Sequence, residues 1–317
     1  MSTTSSLFLY NPGYKLLLDR FTHSFLNARR KKYHKFFSKE GIDDILGYLF
    51  DEKRVTLFLF SHLSFFLFLP LYAIFSYVAK SPWEIVIEKA TNDVALAAIS
   101  LSFRLALLVA IINTSIGYII VWCLVRFDFP FKKILDAAVD FPFTMPTAVA
   151  GLTLTILFGP KGIGRFLSKE SQIIYTVRGV FLAMLFTTAP FVARSVQPIL
   201  LRVTLDLETE ENAWCLGTDE QETFKKILFP ITFPALLNGF TLTFSRALGE
   251  YGSVVMVSGN FPFEDLVSSV YVSQTLEQYD YIGACTISSM VILGACIFLF
   301  IMYTLRYYYH VRKIKKH

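Results

Sequence analysis

Residues 205–234 read LDLETEENAWCLGTDEQETFKKILFPITFP, and they lie between two strongly apolar runs. Four acids within 206–211 precede Ala213-Trp214-Cys215; Gly217, an acidic turn and Phe224-Lys225-Lys226-Ile227 follow. The spacing predicts a helix that stops at Gly217, because glycine adopts the left-handed conformation that ends helices without a Cβ penalty. A second helix then leads to Pro230, which is suited to open a membrane helix, where its missing N–H is not needed. A charged helical hairpin between two apolar runs has no lipid-facing role. Its apolar side chains suit a groove on another protein. An amphipathic connector with no partner is the alternative that these residues alone leave open.

The rest of the chain sets the frame around that hairpin. Of 317 residues, 54% are hydrophobic and 17% charged, with a mean hydropathy of +0.50. A soluble domain carries about 25% charged residues, so this chain is too apolar for water and far too apolar for disorder. Runs free of Asp, Glu, Lys and Arg give the spans: 55–79, 105–125 (extended upstream by 94–103), 141–160, 179–193, 227–245 and 281–305. The fourth is short and needs Arg194 at head-group level or facing protein. The fifth can continue past Arg246 and Glu250 to Val257. The expectation is an all-α membrane protein of about six transmembrane helices, or five if the fourth run is re-entrant. Its organisation reads as a basic arm (1–54), a first transmembrane helix (55–80), a main transmembrane domain (94–306) holding the hairpin at about 205–230, and a basic tail (307–317).

Orientation follows from basic residues. Twenty-one of the 30 Lys and Arg fall in the N-terminal arm, the 126–133 and 202–226 connections and the C-terminal tail, against six in the opposite loops. Arg104, Arg194 and Arg246 stand inside apolar stretches. Both termini are thus expected on the cytoplasmic or stromal side, and the net charge of +5 is a topology device rather than a sign of nucleic-acid binding. Residues 1–38 hold one acid, Asp19, against seven basic residues. They read as an arm lying on anionic lipid, or alternatively as an organelle transit peptide.

Motifs for chemistry are missing. There is no G-x-x-x-x-G-K-[ST] phosphate loop, no GxSxG and no HExxH. The four cysteines are scattered and the five histidines isolated, so neither a metal set nor a disulfide framework is expected. If the chain does energised work, the energy arrives from a partner.

Two more stretches stand out. In 140–154, DFPFTMPTAVAGLTL, Pro142 and Pro146 each remove a backbone donor near the start of a membrane segment. Freed carbonyls at that depth are tolerated only inside protein or beside water. Thr144 and Thr147 add hydroxyls there. The stretch reads as the lining of a pathway, or as a kink serving packing alone. In 245–255, SRALGEYGSVV, Arg246 and Glu250 share a helix face at i and i+4. Either charge alone at mid-membrane costs about 2.5–3.5 kcal/mol on insertion scales. The pair is thus a structural neutralisation, or Arg246 assists a crossing anion.

The hairpin resembles the E-A-A, x3, G, x9, I-x-L-P loop of ABC-importer permeases. Glu211, Asn212 and Ala213 stand for E-A-A, Gly217 for the glycine, and Phe229-Pro230 for L-P; Asn212 and Phe229 depart from the pattern. The 140–154 stretch is similar to D-L-P-F-A-L-P-T-A-V-A-G-L-T-L of sulfate permeases, and the 245–255 stretch, with Ser253, to R-A-L-G-E-[FY]-G-[AS]-V. The chain is identified over residues 55–310 as a member of the T-type sulfate/thiosulfate ABC-importer permeases. That resemblance implies a type-1 importer permease fold, with no catalysis and no cofactor in this chain. It implies coupling to an ATPase through Glu211, Asn212, Ala213, Gly217 and Pro230. The pathway candidates are Thr144, Pro146, Thr147, Arg246, Glu250 and Ser253. The implied partners are two ATP-binding subunits, a second permease subunit, an external sulfate-binding protein, and sulfate or thiosulfate. Another oxyanion such as molybdate, or a passive anion channel, is the rival function. Heavy use of Phe, Tyr, Ile and Lys favours a plastid membrane, with a bacterial inner membrane as the alternative.

Overall fold

The computed structural model describes residues 52–166, 172–205 and 207–314. The N-terminal arm, with its lipid or transit reading, lies outside the described residues except for its last three. The chain divides into two units, one up to Ala73 and one from Ile74. The first span, α1 (Arg54–Lys80), crosses that division. None of its residues from 54 to 73 is buried, and large apolar side chains such as Phe58, Phe65 and Phe66 stand exposed, as a lipid-facing helix requires. Its Ser64–Phe68 turn is π-helical and ends two residues before Pro70. The proline ring clashes with the carbonyl one α-turn earlier, and the wider turn moves that carbonyl away.

The second unit holds α2 (Trp83–Ala90), α3 (Asp93–Arg126), α4 (Lys132–Val139), α5 (Phe141–Thr144) and α6 (Thr147–Phe158). After them come α7 (Val177–Leu205), α8 (Leu207–Cys215), α9 (Glu220–Leu248), α10 (Gly252–Val257), α11 (Ser268–Glu277) and α12 (Tyr281–Ile314). No strand occurs among the described residues. Helices α3, α7 and α9 form the core, where Val109, Val180, Met184 and Phe244 are fully buried. Phe298 of α12 stacks on Phe244 at 3.7 Å. Asn113 is nearly buried at the α3–α7 contact, and its amide donates to the Leu185 carbonyl (3.0 Å) and the Thr188 hydroxyl (2.9 Å), which satisfies it where lipid could not.

The span count is refined in one place. Five helices are long and apolar enough to cross a membrane: α1, α3, α7, α9 and α12. The expected span over 141–160 is not a single helix. Proline at 146 drives the preceding residue to extended backbone, and Met145 takes φ −89°, ψ 134°. What remains is α6, 12 residues and about 18 Å long, short of a bilayer core of about 30 Å. The segment still runs beside α7. Phe143 packs edge-on against Phe191 at 4.9 Å, and Leu154 joins Ile174, Ala183 and Val257 in one buried cluster. The fourth run, by contrast, is a continuous 29-residue helix, because Arg194 faces protein. Its guanidinium donates to Asp140 (2.6 and 2.7 Å), to the Asp136 carboxylate (2.8 Å) and carbonyl (2.7 Å), and to Gln197.

The hairpin also differs in its second arm. Pro230 does not open a helix. α9 starts at Glu220, and a π turn at Phe224–Leu228 admits the proline just as the turn before Pro70 does. The fifth run does not continue to Val257 as one helix. It breaks at Gly249–Tyr251 and restarts as α10.

On the opposite side, Lys89 of α2 and Asp280 before α12 pair at 2.8 Å, and Asp280 also accepts the Gly283 N–H. The hydrogen bond from Lys89 holds the Asp280 carboxyl below its ordinary value, and the same bond raises the Lys89 ammonium. The pair therefore stabilises the fold at neutral pH. That contribution is lost as pH falls through the lowered Asp280 value, or as it rises through the raised Lys89 value. Thermal melts should show Asp280→Asn destabilised near pH 7 and equal to wild type in strong acid. A difference that does not change with pH contradicts this.

Candidate functional site

The first candidate surface is the hairpin tip. Helix α8 ends with Gly217 at φ 85°. Thr218 N–H reaches the Ala213 carbonyl (3.2 Å) and Gly217 N–H the Trp214 carbonyl (2.9 Å), which is the Schellman pattern of bonds. No atom lies within 4 Å of a Cβ added at Gly217, so a side chain there is opposed by the backbone angle and not by crowding. The second arm begins with Asp219, whose carboxylate accepts the Glu222 N–H at 2.6 Å, an N-cap. The Thr218 and Thr223 hydroxyls join the two arms at 3.0 Å. This bracing sorts the predicted residues. Ala213 is buried, whereas Glu211, Asn212 and Gly217 are exposed. Trp214 and Leu216 present apolar surface beside them, Leu216 at 85% exposure. Pro230 stands apart from the tip, and its carbonyl accepts the Tyr309 hydroxyl at 3.2 Å.

The second candidate lies where two broken helices meet. α6 and α10 pack backbone against backbone. A Cβ added at Gly151 comes within 2.5 Å of the Ser253 carbonyl oxygen and 2.7 Å of its Cα, and one at Gly252 within 2.2 Å of the Thr147 hydroxyl. Glu250, 1% exposed, fills the break before α10. Its Oε1 accepts the Ser253 hydroxyl (2.9 Å) and N–H (3.2 Å). Its Oε2 faces Arg246 at 3.4 Å without a hydrogen bond. Arg246 itself is 45% exposed. Because α9 stops at Leu248, the two charges do not share a helix face as expected, though they do pair. Glu250 is thus committed to capping α10 as well as to Arg246. Thr147 and Ser253 meet at this place. Thr144 and Pro146 lie exposed at the α5–α6 break, where the Thr144 hydroxyl donates locally to the Phe141 carbonyl at 2.8 Å.

The two stretches singled out in sequence, 140–154 and 245–255, are therefore partners in space. Residues 113–315 match the family model described as "Binding-protein-dependent transport system inner membrane component". The chain belongs to that family. Among curated relatives of this component, the probable sulfate transport system permease protein of Helicosporidium sp. subsp. Simulium jonesii is 55% identical over 73% of this chain and 85% of its own length. The corresponding probable permease of Prototheca wickerhamii is 48% identical over 80% and 99%. The sulfate transport system permease of Synechococcus elongatus is 45% identical over 78% and 90%. Among solved structures, a chain of a bacterial ABC transporter involved in import of the polysaccharide alginate covers 86% of this component and 99% of itself, with TM-score 0.65 at 13% identity. A chain of a methionine ABC transporter covers 68% and 96% with TM-score 0.54 at 15% identity. These two likenesses concern the fold.

Sequence reasoning missed two polar clusters of the family member. Glu210, beside the singled-out Glu211, is buried and forms a forked pair with Arg126; Arg126 had been counted only as a topology charge. Asp136 and Asp140, which hold Arg194, stand at i and i+4 in sequence, but Arg194 lies 58 and 54 residues further on, so only the unpaired look of Arg194 in its apolar run could have signalled them.

Proposed function

We propose that this chain is a permease subunit of an ABC importer that carries sulfate, and thiosulfate, across a membrane, driven by ATP hydrolysed on separate subunits. The observation that carries the reading is the braced hairpin. It spends a left-handed glycine, two caps and a threonine bridge on a tip where Glu211 and Leu216 stand exposed and Trp214 half-exposed. An acidic and apolar tip fits a groove on an ATP-binding partner. Sulfate as cargo is supported by the names of three relatives at 45–55% identity. Two ATPase subunits, a second permease and an external binding protein complete the assembly. Glu211, Asn212, Ala213 and Gly217 form the coupling element, with Pro230 setting the arm behind it. Thr144, Pro146, Thr147, Arg246, Glu250 and Ser253 border the pathway, where the exposed Arg246 offers positive charge to a divalent, strongly hydrated anion. Relatives from algae, a liverwort and a cyanobacterium support a plastid membrane as the location.

Glu211→Lys, which reverses charge on an exposed residue, is expected to abolish co-purification of the ATPase while leaving the melt of this chain unchanged. Undiminished capture and uptake would remove the hairpin from the coupling role. Uptake blocked equally by sulfate and molybdate would move the cargo to oxyanions in general.

A further inference from the structure

The last turns of α3 carry Tyr118, Trp122 and Arg126 at i, i+4 and i+8, so the three stand in one row. Each holds an arm of the hairpin. Arg126 grips the first arm through two parallel hydrogen bonds to Glu210, Nη2 to Oε2 at 2.9 Å and Nη1 to Oε1. The Glu210 side chain is 7% exposed, and the guanidinium lies 5.4 Å from the Trp122 ring centre. Trp122 and Tyr118 grip the second arm. Trp122 meets Phe224 edge-on at 5.1 Å, Tyr118 meets Phe229 at 6.1 Å, and the Tyr118 and Thr232 hydroxyls join at 3.2 Å.

A buried ion pair is a poor device for stability alone, because desolvating both charges offsets most of their attraction and apolar packing serves as well. What the forked guanidinium supplies is one plane and one register for its carboxylate. We infer that the Tyr118–Trp122–Arg126 row, with Glu210 as its buried partner, is the strut that carries hairpin movement into the membrane helices. Helix α3 is 34 residues long and is tied to α7 through Asn113, so a displacement at Arg126 is passed on instead of being absorbed in a loop. This rests on the coupling role proposed above. It adds positioning residues that lie behind the exposed tip.

The test uses the assembled transporter with Glu210→Gln, Arg126→Lys and the exchanged pair Arg126→Glu/Glu210→Arg, reading ATPase capture, ATP hydrolysis and sulfate uptake separately. Glu210→Gln should keep capture and hydrolysis within about twofold of wild type while uptake per ATP falls about tenfold. Arg126→Lys should lie between, and the exchanged pair should recover at least a third of the lost uptake. Uptake and hydrolysis falling in proportion, an unchanged ratio, or no recovery in the exchanged pair overturns the strut. So does loss of assembly in both Glu210→Gln and Arg126→Lys, which marks the pair as structural. Failure of the unmodified chain to capture an ATPase instead overturns the coupling role beneath it.

Discussion

Gly151→Ala is expected to abolish most sulfate uptake, by more than tenfold, while Gly252→Ala loses far less. Both positions lie at the α6–α10 contact, and both admit a methyl group only by displacing something. At Gly151 the obstacle is the backbone of Ser253, with its carbonyl oxygen 2.5 Å and its Cα 2.7 Å from the new Cβ. Backbone cannot rotate aside, so α10 must move as a body, and the Glu250 cap on Ser253 moves with it. At Gly252 the first obstacle is the Thr147 hydroxyl at 2.2 Å, a rotatable group; the Ala148 nitrogen is already at 3.2 Å. Overpacking typically costs about 1–3 kcal/mol. Alanine returns up to about 1 kcal/mol of helix propensity inside α6, which is too little to reverse the sign. Uptake in reconstituted vesicles, measured beside ATPase capture, checks the contrast. Equal losses at the two glycines would mean that the backbone approach does not govern the site.

Arg194→Gln is expected to lower the stability of the chain markedly. It leaves Asp136 and Asp140 without the cation they share and removes the polar tie between α4 and α7, while the Phe143–Phe191 contact of α5 remains. Removing one partner of a fully buried pair costs about 3–5 kcal/mol. These side chains are 30–43% exposed, so solvent screening reduces the expected effect to about 1–3 kcal/mol. Arg194→Lys should recover only part, because one ammonium cannot reproduce a planar fork between two carboxylates. The Asp136 carboxyl titrates below its ordinary value even though burial pushes it upward; hydrogen bonds from Gln197 and Arg194 outweigh that, helped by the charges of Arg194 and Lys132. Its stabilisation is present above the ordinary carboxylate value and is lost as pH falls through the lowered one. Detergent melts of the variants across acid pH should therefore converge on wild type at the acid end.

How much of this was legible beforehand depends on how local each feature is. Gly217 announced its helix stop because a left-handed residue needs no distant partner. Four of the five long spans announced themselves through apolar length, whereas the run that becomes α7 stops at Arg194 after residues 179–193 and reads as a full span only once that arginine faces protein. The broken span was half-legible: Pro142 and Pro146 were visible as strain, but an apolar run of twenty residues does not reveal that its first six are not helix enough to count. The end of α9 was hidden for a related reason, since Glu250 caps α10 through a side-chain bond that no spacing rule predicts. Arg126 and Glu210, 84 residues apart, could be joined only by tertiary packing.

The proposal tested most directly is that this chain forms half of a sulfate pathway opened by a separate ATPase. Its most direct measurement is radiolabelled sulfate uptake into vesicles holding this chain with the proteins that co-purify with it, with and without ATP inside the nucleotide-accessible compartment. The account predicts uptake that needs both ATP and the captured ATPase and that fails with Glu211→Lys. Sulfate flux that persists without ATP, or without any ATPase in the purified assembly, would contradict it.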